Sequence, residues 1–180
     1  APKVMFMHVG GMGDTEALAG AIGKVLAVIK DTGGGKGRVP TVAIDPTNPN
    51  LVMAAWNDYC DTDLGGGWMG IAHSRDRGET WTPSKIPGYP TDTSAEGMAS
   101  PLHGRQAEAG DPLLAFDSDG NLFAGGIAFN RVNPQNGDVW VATYGAEPHP
   151  NGYPKDYLRT VVVGTGTPAL AGIFEDKPEL

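Results

Sequence analysis

Hydrophobic and polar positions change rhythm once along this chain, near Gly37. Before it, "KVMFMHV" (residues 3–9) predicts a strand. In the stretch that follows, Leu18, Ile22, Val25, Leu26 and Ile29 recur at helical spacing. Asp14 or Thr15 can cap that helix, because a side-chain oxygen there accepts from the free N–H groups of the first turn. Gly33 to Gly35 end it. After Gly37 the pattern becomes short apolar runs separated by polar turns, which predicts β-strands and no further long helix.

These runs repeat. "TVAIDPTNPNLVMAAW" (residues 41–56) can be laid on "LLAFDSDGNLFAGGIAF" (residues 113–129). Each has an apolar strand ending in Asp (Asp45, Asp117), a polar turn ending in Asn (Asn50, Asn121) and a second apolar strand. A third strand follows each, "GWMGIAHS" and then "DVWVATY". The units lie about seventy residues apart, which suits repeated sheets carrying insertions. The loops "PGYPTDTSAEGMASPLHGRQAEAG" and "GAEPHPNGYPKDY" supply the insertions. Sheets that cannot bury both faces alone must stack on neighbours. The expected fold class is therefore all-β.

Between the two units stands "SRDRGETW", residues 74–81, which fits S-x-D-x-G-x-T-W at Ser74, Asp76, Gly78, Thr80 and Trp81. The pattern suits a hairpin turn. Asp76 can accept from turn N–H groups, Gly78 can take a positive φ, and Trp81 can pack between sheets. On this motif, with "AIDPTNPN" and "AFDSDGN" as strand-and-turn openings and "FEDKP" near residue 175, the chain resembles the sialidase-like, BNR-repeat (Asp-box) β-propellers. The resemblance covers roughly residues 38–178. It implies a sialidase-like β-propeller of which this chain holds two to three blades. Blade 1 would span about 38–84, blade 2 about 111–163, and a third would start at about 171–180. Residues 1–37 form a separate N-terminal strand and helix, the strand able to close a ring by pairing into the last blade. A chain stopping as a third unit starts implies completion by further chain or by another subunit. In the family the Asp-box turn lies away from the substrate pocket, so its five residues read as structural.

Charge and composition narrow the partners. The net charge is −8 with no dense Lys/Arg run, which argues against a nucleic-acid backbone. No apolar run reaches the roughly 18 to 20 residues of a membrane span. With 27 Gly and 15 Pro in 180 residues, the chain suits a turn-rich protein. The single cysteine, Cys60, excludes an internal disulfide framework. His8, His73, His103 and His149 are scattered without zinc spacing. "DSDGN" (Asp117, Asp119, Asn121) has alternate oxygens like a calcium loop but lacks the distal Glu, and makes a good hairpin turn instead. "DTGGGKG" is not a phosphate loop. No metal or cofactor is expected. The resemblance to secreted bacterial members implies a secreted or periplasmic protein.

The resemblance also locates candidate chemistry. Sialidases carry F/Y-R-I-P before the first blade; here Gly37, Arg38, Val39 and Pro40 occupy those places. Arg38 would grip a substrate carboxylate, because a planar guanidinium donates two parallel charge-assisted bonds. The family's acid/base Asp falls in the interval "NDYCDTDLGGG", where Asp61 and Asp63 are the candidates and Asp58 a lesser one. A catalytic acid there needs a pKa raised by burial or by a neighbouring carboxylate. The family's Tyr nucleophile, activated by a Glu, comes from later blades, an exception to the two-carboxylate glycosidase scheme; Tyr144, Tyr153 and Tyr157 read as ordinary residues. Arg105, in "HGRQAEAGD", is a further candidate for the pocket. Trp56, Trp68 and Trp140 suit core packing before sugar stacking. No Arg lies between Arg38 and Arg75, where the family places another. Two functions follow: a secreted sialidase-like glycoside hydrolase acting on carboxylate-bearing glycan ends, or a non-catalytic propeller binding a protein or glycan through its long loops.

Overall fold

Every apolar run named above from Thr41 to Tyr144 forms a strand, because alternating side chains let a pleated backbone bury one or both faces. The computed structural model describes residues 9–10, 38–59, 67–131, 135–146 and 156–166, without the side chains of residues 9, 10 and 38–40. The expected helix after Gly11, Cys60, Asp61, Asp63, Tyr153 and the start of a third unit lie outside the described residues.

The first sheet contains β1 (Val9–Gly10), β2 (Arg38–Ile44), β3 (Val52–Asp58), β4 (Trp68–Ser74) and β5 (Thr82–Lys85), in that order. β2 to β5 form an antiparallel meander, and β1 runs parallel beside β2. A short helix, α1 (Ala95–Ala99), lies in the connection to the second sheet. That sheet is an antiparallel meander of β6 (Glu108–Phe116), β7 (Leu122–Asn130), β8 (Asn136–Tyr144) and β9 (Tyr157–Gly164). Among the described residues the protein is mostly β with little helix.

The two meanders share details beyond their order. Both first strands are bulged, between Arg38 and Thr41 and between Gly110 and Leu113. Each bulge carries a proline, Pro40 and Pro112, at a place where a missing N–H costs the ladder little. Both strands then run straight to the turn aspartate. There Ile44 pairs Val52, and Phe116 pairs Leu122. Val52 is therefore the counterpart of Leu122, and Trp56 of Gly126.

That register reveals how the sheets stack. The first sheet's Ala43, Met53, Ala55, Met69 and Ile71 share one core with the second sheet's Leu114, Leu122, Ala124, Trp140 and Ala142. The first sheet's opposite face, Val42, Val52, Ala54, Trp56 and Ala72, is also buried. By register, Val42, Val52, Ala54 and Ala72 are the counterparts of Leu114, Leu122, Ala124 and Ala142. Unlike faces therefore meet, and the second sheet docks with the face whose counterpart the first sheet has already buried elsewhere. β3 is buried along nearly its whole length and β4 throughout, on both sides.

Each sheet carries one tryptophan lying over a cross-strand glycine, on opposite strands. Trp56 of β3 faces Gly70 of β4, whereas Gly126 of β7 faces Trp140 of β8. A Cβ at Gly70 would stand 2.5 Å from the Trp56 ring, and one at Gly126 would stand 3.2 Å from that of Trp140. The glycines leave room for a large ring to lie flat within the stack.

Candidate ligand-binding site

The antiparallel order sends all three tight turns (Asp45, Asp76 and Asp117) to one end of the sheets. The other end gathers the starts of β2, β4, β6 and β8 and the finishes of β3 and β7.

At the turn end the carboxylates serve the backbone. Asp76 accepts from the Thr80 N–H (2.8 Å), the Thr80 hydroxyl (2.6 Å) and the Ser74 hydroxyl (2.7 Å). Ser74 Oγ in turn accepts from the Gly78 N–H at 2.6 Å. Gly78 has φ +90°, and the Trp81 indole N–H donates to its carbonyl at 3.0 Å. The Thr80 hydroxyl, the Thr80 N–H and the Ser74 hydroxyl hold Asp76 at a pKa of about 2, so it is a fixed anion and no acid catalyst. Asp117 is likewise lowered, chiefly by the Asn121 side chain. It receives the Asn121 amide (2.7 Å) and the N–H groups of Asp119 and Asn121. Donors rather than oxygens converge there, which suits a turn and not a calcium ion.

The opposite end carries ligand-accessible chemistry. Arg38 stands in register with Asn57. The Asn57 carboxamide oxygen accepts the N–H of Asp111 at 2.8 Å and ties the second sheet's bulge to the first sheet. Asp111 has φ +53°, a conformation uncommon for a residue with a side chain. Beside it a cavity of about 420 Å³ is walled by Asn57, Tyr59, Glu108, Asp111, Phe129 and Arg131, among others. Glu108 is buried at the start of β6. Arg131 Nε donates to its Oε2 at 3.0 Å, with the guanidinium 5.0 Å from the Phe129 ring. Residues 60–66, which carry Asp61 and Asp63, connect Tyr59 to Gly67, and both of those line this cavity.

Arg105 is placed elsewhere. It donates from Nε (2.6 Å) and Nη2 (3.2 Å) to Asp138, a fully buried carboxylate on β8. Gln106 and the Gly166 N–H complete the set at 2.8 and 3.1 Å. Its fork is thus spent on the scaffold. Trp56, Trp68 and Trp140 are all buried, and the Trp68 indole donates to the Ile86 carbonyl at 2.9 Å. Sequence reasoning missed Asn57, Glu108, Asp111 and Arg131. The one available signal was Asp111 before a proline that repeats Pro40.

Together these observations define a class: a protein whose described residues are mostly β, in two stacked antiparallel four-stranded meanders, with a polar cavity at the strand-start end. No protein-family model matches the chain, and neither does any curated protein. Among solved structures it is similar to a Trypanosoma rangeli sialidase in complex with the inhibitor DANA, at 13% identity and a TM-score of 0.45, over 71% of this chain and 20% of that one. The chain thus spans about a fifth of that protein's length.

Proposed function

We propose that this protein is built as part of a secreted, sialidase-like Asp-box β-propeller and binds a glycan at the strand-start end without hydrolysing it. The stacking of unlike faces supports the architecture, because units that dock in one sense repeat around an axis. The observation that carries the binding reading is the pairing of Arg131 with Glu108 inside the cavity. A sialidase grips an anionic sugar with guanidinium groups turned toward it. Here the described guanidinium in the cavity already holds a carboxylate, and Asp111 adds a second. A neutral glycan fits that balance better than an anionic one.

One observation favours the hydrolase reading. Arg38 begins β2 at this same end of the sheets, and Tyr59 and Gly67, which flank Asp61 and Asp63 in the sequence, line the cavity. The two are separated by presenting the full chain with immobilised glycans and, in parallel, with a fluorogenic aryl sialoside. Retention of neutral glycans without turnover, weakened about tenfold by Glu108→Gln, is expected for a buried charge-assisted contact. Sialoside turnover that collapses in Arg38→Ala would replace this reading with hydrolysis.

A further inference from the structure

A second, larger cavity of about 540 Å³ shares no lining residue with the strand-start cavity. It lies beside the outer strands, where the first sheet, the connection carrying α1 and the second sheet approach one another. The first sheet contributes His73 and Lys85, the connection Tyr89 and Glu96, and the second sheet Tyr144 and Tyr157. Its volume falls within the range of small-molecule sites.

The wall chemistry is specific. All three tyrosines are half-buried, so each keeps solvent-facing surface. Tyr144 and Tyr157 hold one another edge to face, with ring centres 5.6 Å apart and planes at 69°. The Tyr157 hydroxyl donates to Thr160 at 2.8 Å, which fixes that ring further. Lys85 Nζ stands 5.0 Å from the Tyr89 ring centre. The charge around these rings is mostly negative, with Asp58, Asp92 and Glu96 set against Lys85. Burial, then the charge of Arg75, lowers the His73 pKa and keeps its imidazole neutral near pH 7. Asp92, also in the wall, spends its carboxylate on the Gly88 N–H and on Ser94.

We propose that this cleft binds a neutral oligosaccharide segment. Rigid aromatic faces meet the apolar C–H faces of sugar rings, and long side chains of both signs meet their hydroxyl pairs. An anionic ligand would gain Lys85 but face Asp58, Asp92 and Glu96. A lone cation would compete with Lys85 for the Tyr89 ring. The site is independent of the one proposed at the strand-start end.

The test uses the full chain on an array of neutral, sialylated and sulfated oligosaccharides, followed by calorimetry with the best neutral binder. Tyr89→Leu keeps the apolar bulk and removes the aromatic face; it should weaken binding about tenfold. Glu96→Ala, on the short helix, should weaken it several-fold. Glu108→Gln, in the other cavity, should leave this component unchanged. Preference for the sialylated or sulfated members overturns the proposal, as does the absence of neutral binding. So does neutral binding that responds to Glu108→Gln but to neither cleft variant, which would leave only the strand-start site standing.

Discussion

Asp76 illustrates how much of a turn one side chain can organise. Its oxygens collect the Thr80 N–H, the Thr80 hydroxyl and the Ser74 hydroxyl, and Ser74 passes the order on to Gly78. These donors favour the charged form, so its folded pKa of about 2 lies below its ordinary value of 3.8. The sign follows directly. The contribution is complete above about pH 4 and is lost as the pH falls toward 2. Asp76→Asn should therefore lower the melting temperature at pH 7, with the gap to the parent protein closing toward pH 2, as read by thermal denaturation across that range. This geometry was legible in residues 74–81, because each position answers a local demand of the backbone. Glu108 and Arg131 were not legible in that way. They stand far apart in the chain and meet only once β6 and β7 pair.

At the scale of the elements, register carries the information that composition lacks. Laying Asn50 on Asn121 is natural by residue type and makes Val52 the counterpart of Phe123. The hydrogen-bonded pairs make it the counterpart of Leu122 instead. A shift of one residue exchanges the two faces of a strand, and with the first register the β3 and β7 residues that meet between the sheets would count as like faces. The physical cause is the turn. Asp45 N–H reaches Leu51 O across a longer loop, while Asp117 N–H reaches Asn121 O. An alignment beginning at Thr41 also leaves out the paired prolines of the bulges. The exchanged tryptophan–glycine pairs follow the same register and are open to test. Gly70→Ala drives a methyl into the Trp56 ring and should cost about 1–3 kcal/mol in urea unfolding, as overpacking of a filled core does. Trp56→Phe in the same chain should recover part of that loss.

Across the whole molecule, polar side chains secure what apolar packing brings together. Asn57 joins the sheets through the Asp111 N–H, and Asp138 gathers the α1 connection and Gly166 onto β8. Arg105→Ala would leave the buried Asp138 carboxylate with amide donors alone. Uncompensated buried charge costs about 3 kcal/mol or more, so urea unfolding should shift by that order while glycan binding at either cavity stays as it was. Adding Asp138→Asn removes the charge and should restore part of the stability. If Arg105→Ala left stability intact and abolished binding, the residue would belong to a ligand site after all.

The residue order, read alone, settled the properties that depend on near neighbours: the described strands from Thr41 to Tyr144, the turn aspartates, the positive φ at Gly78 and a mostly β architecture. Those follow from alternation and from hydrogen bonds spanning a few residues. Which faces stack, which guanidinium groups pair with carboxylates and where the cavities open were decided by tertiary structure. Each depends on side chains far apart in the chain, and placing a strand one residue out of register is enough to exchange one of its faces for the other.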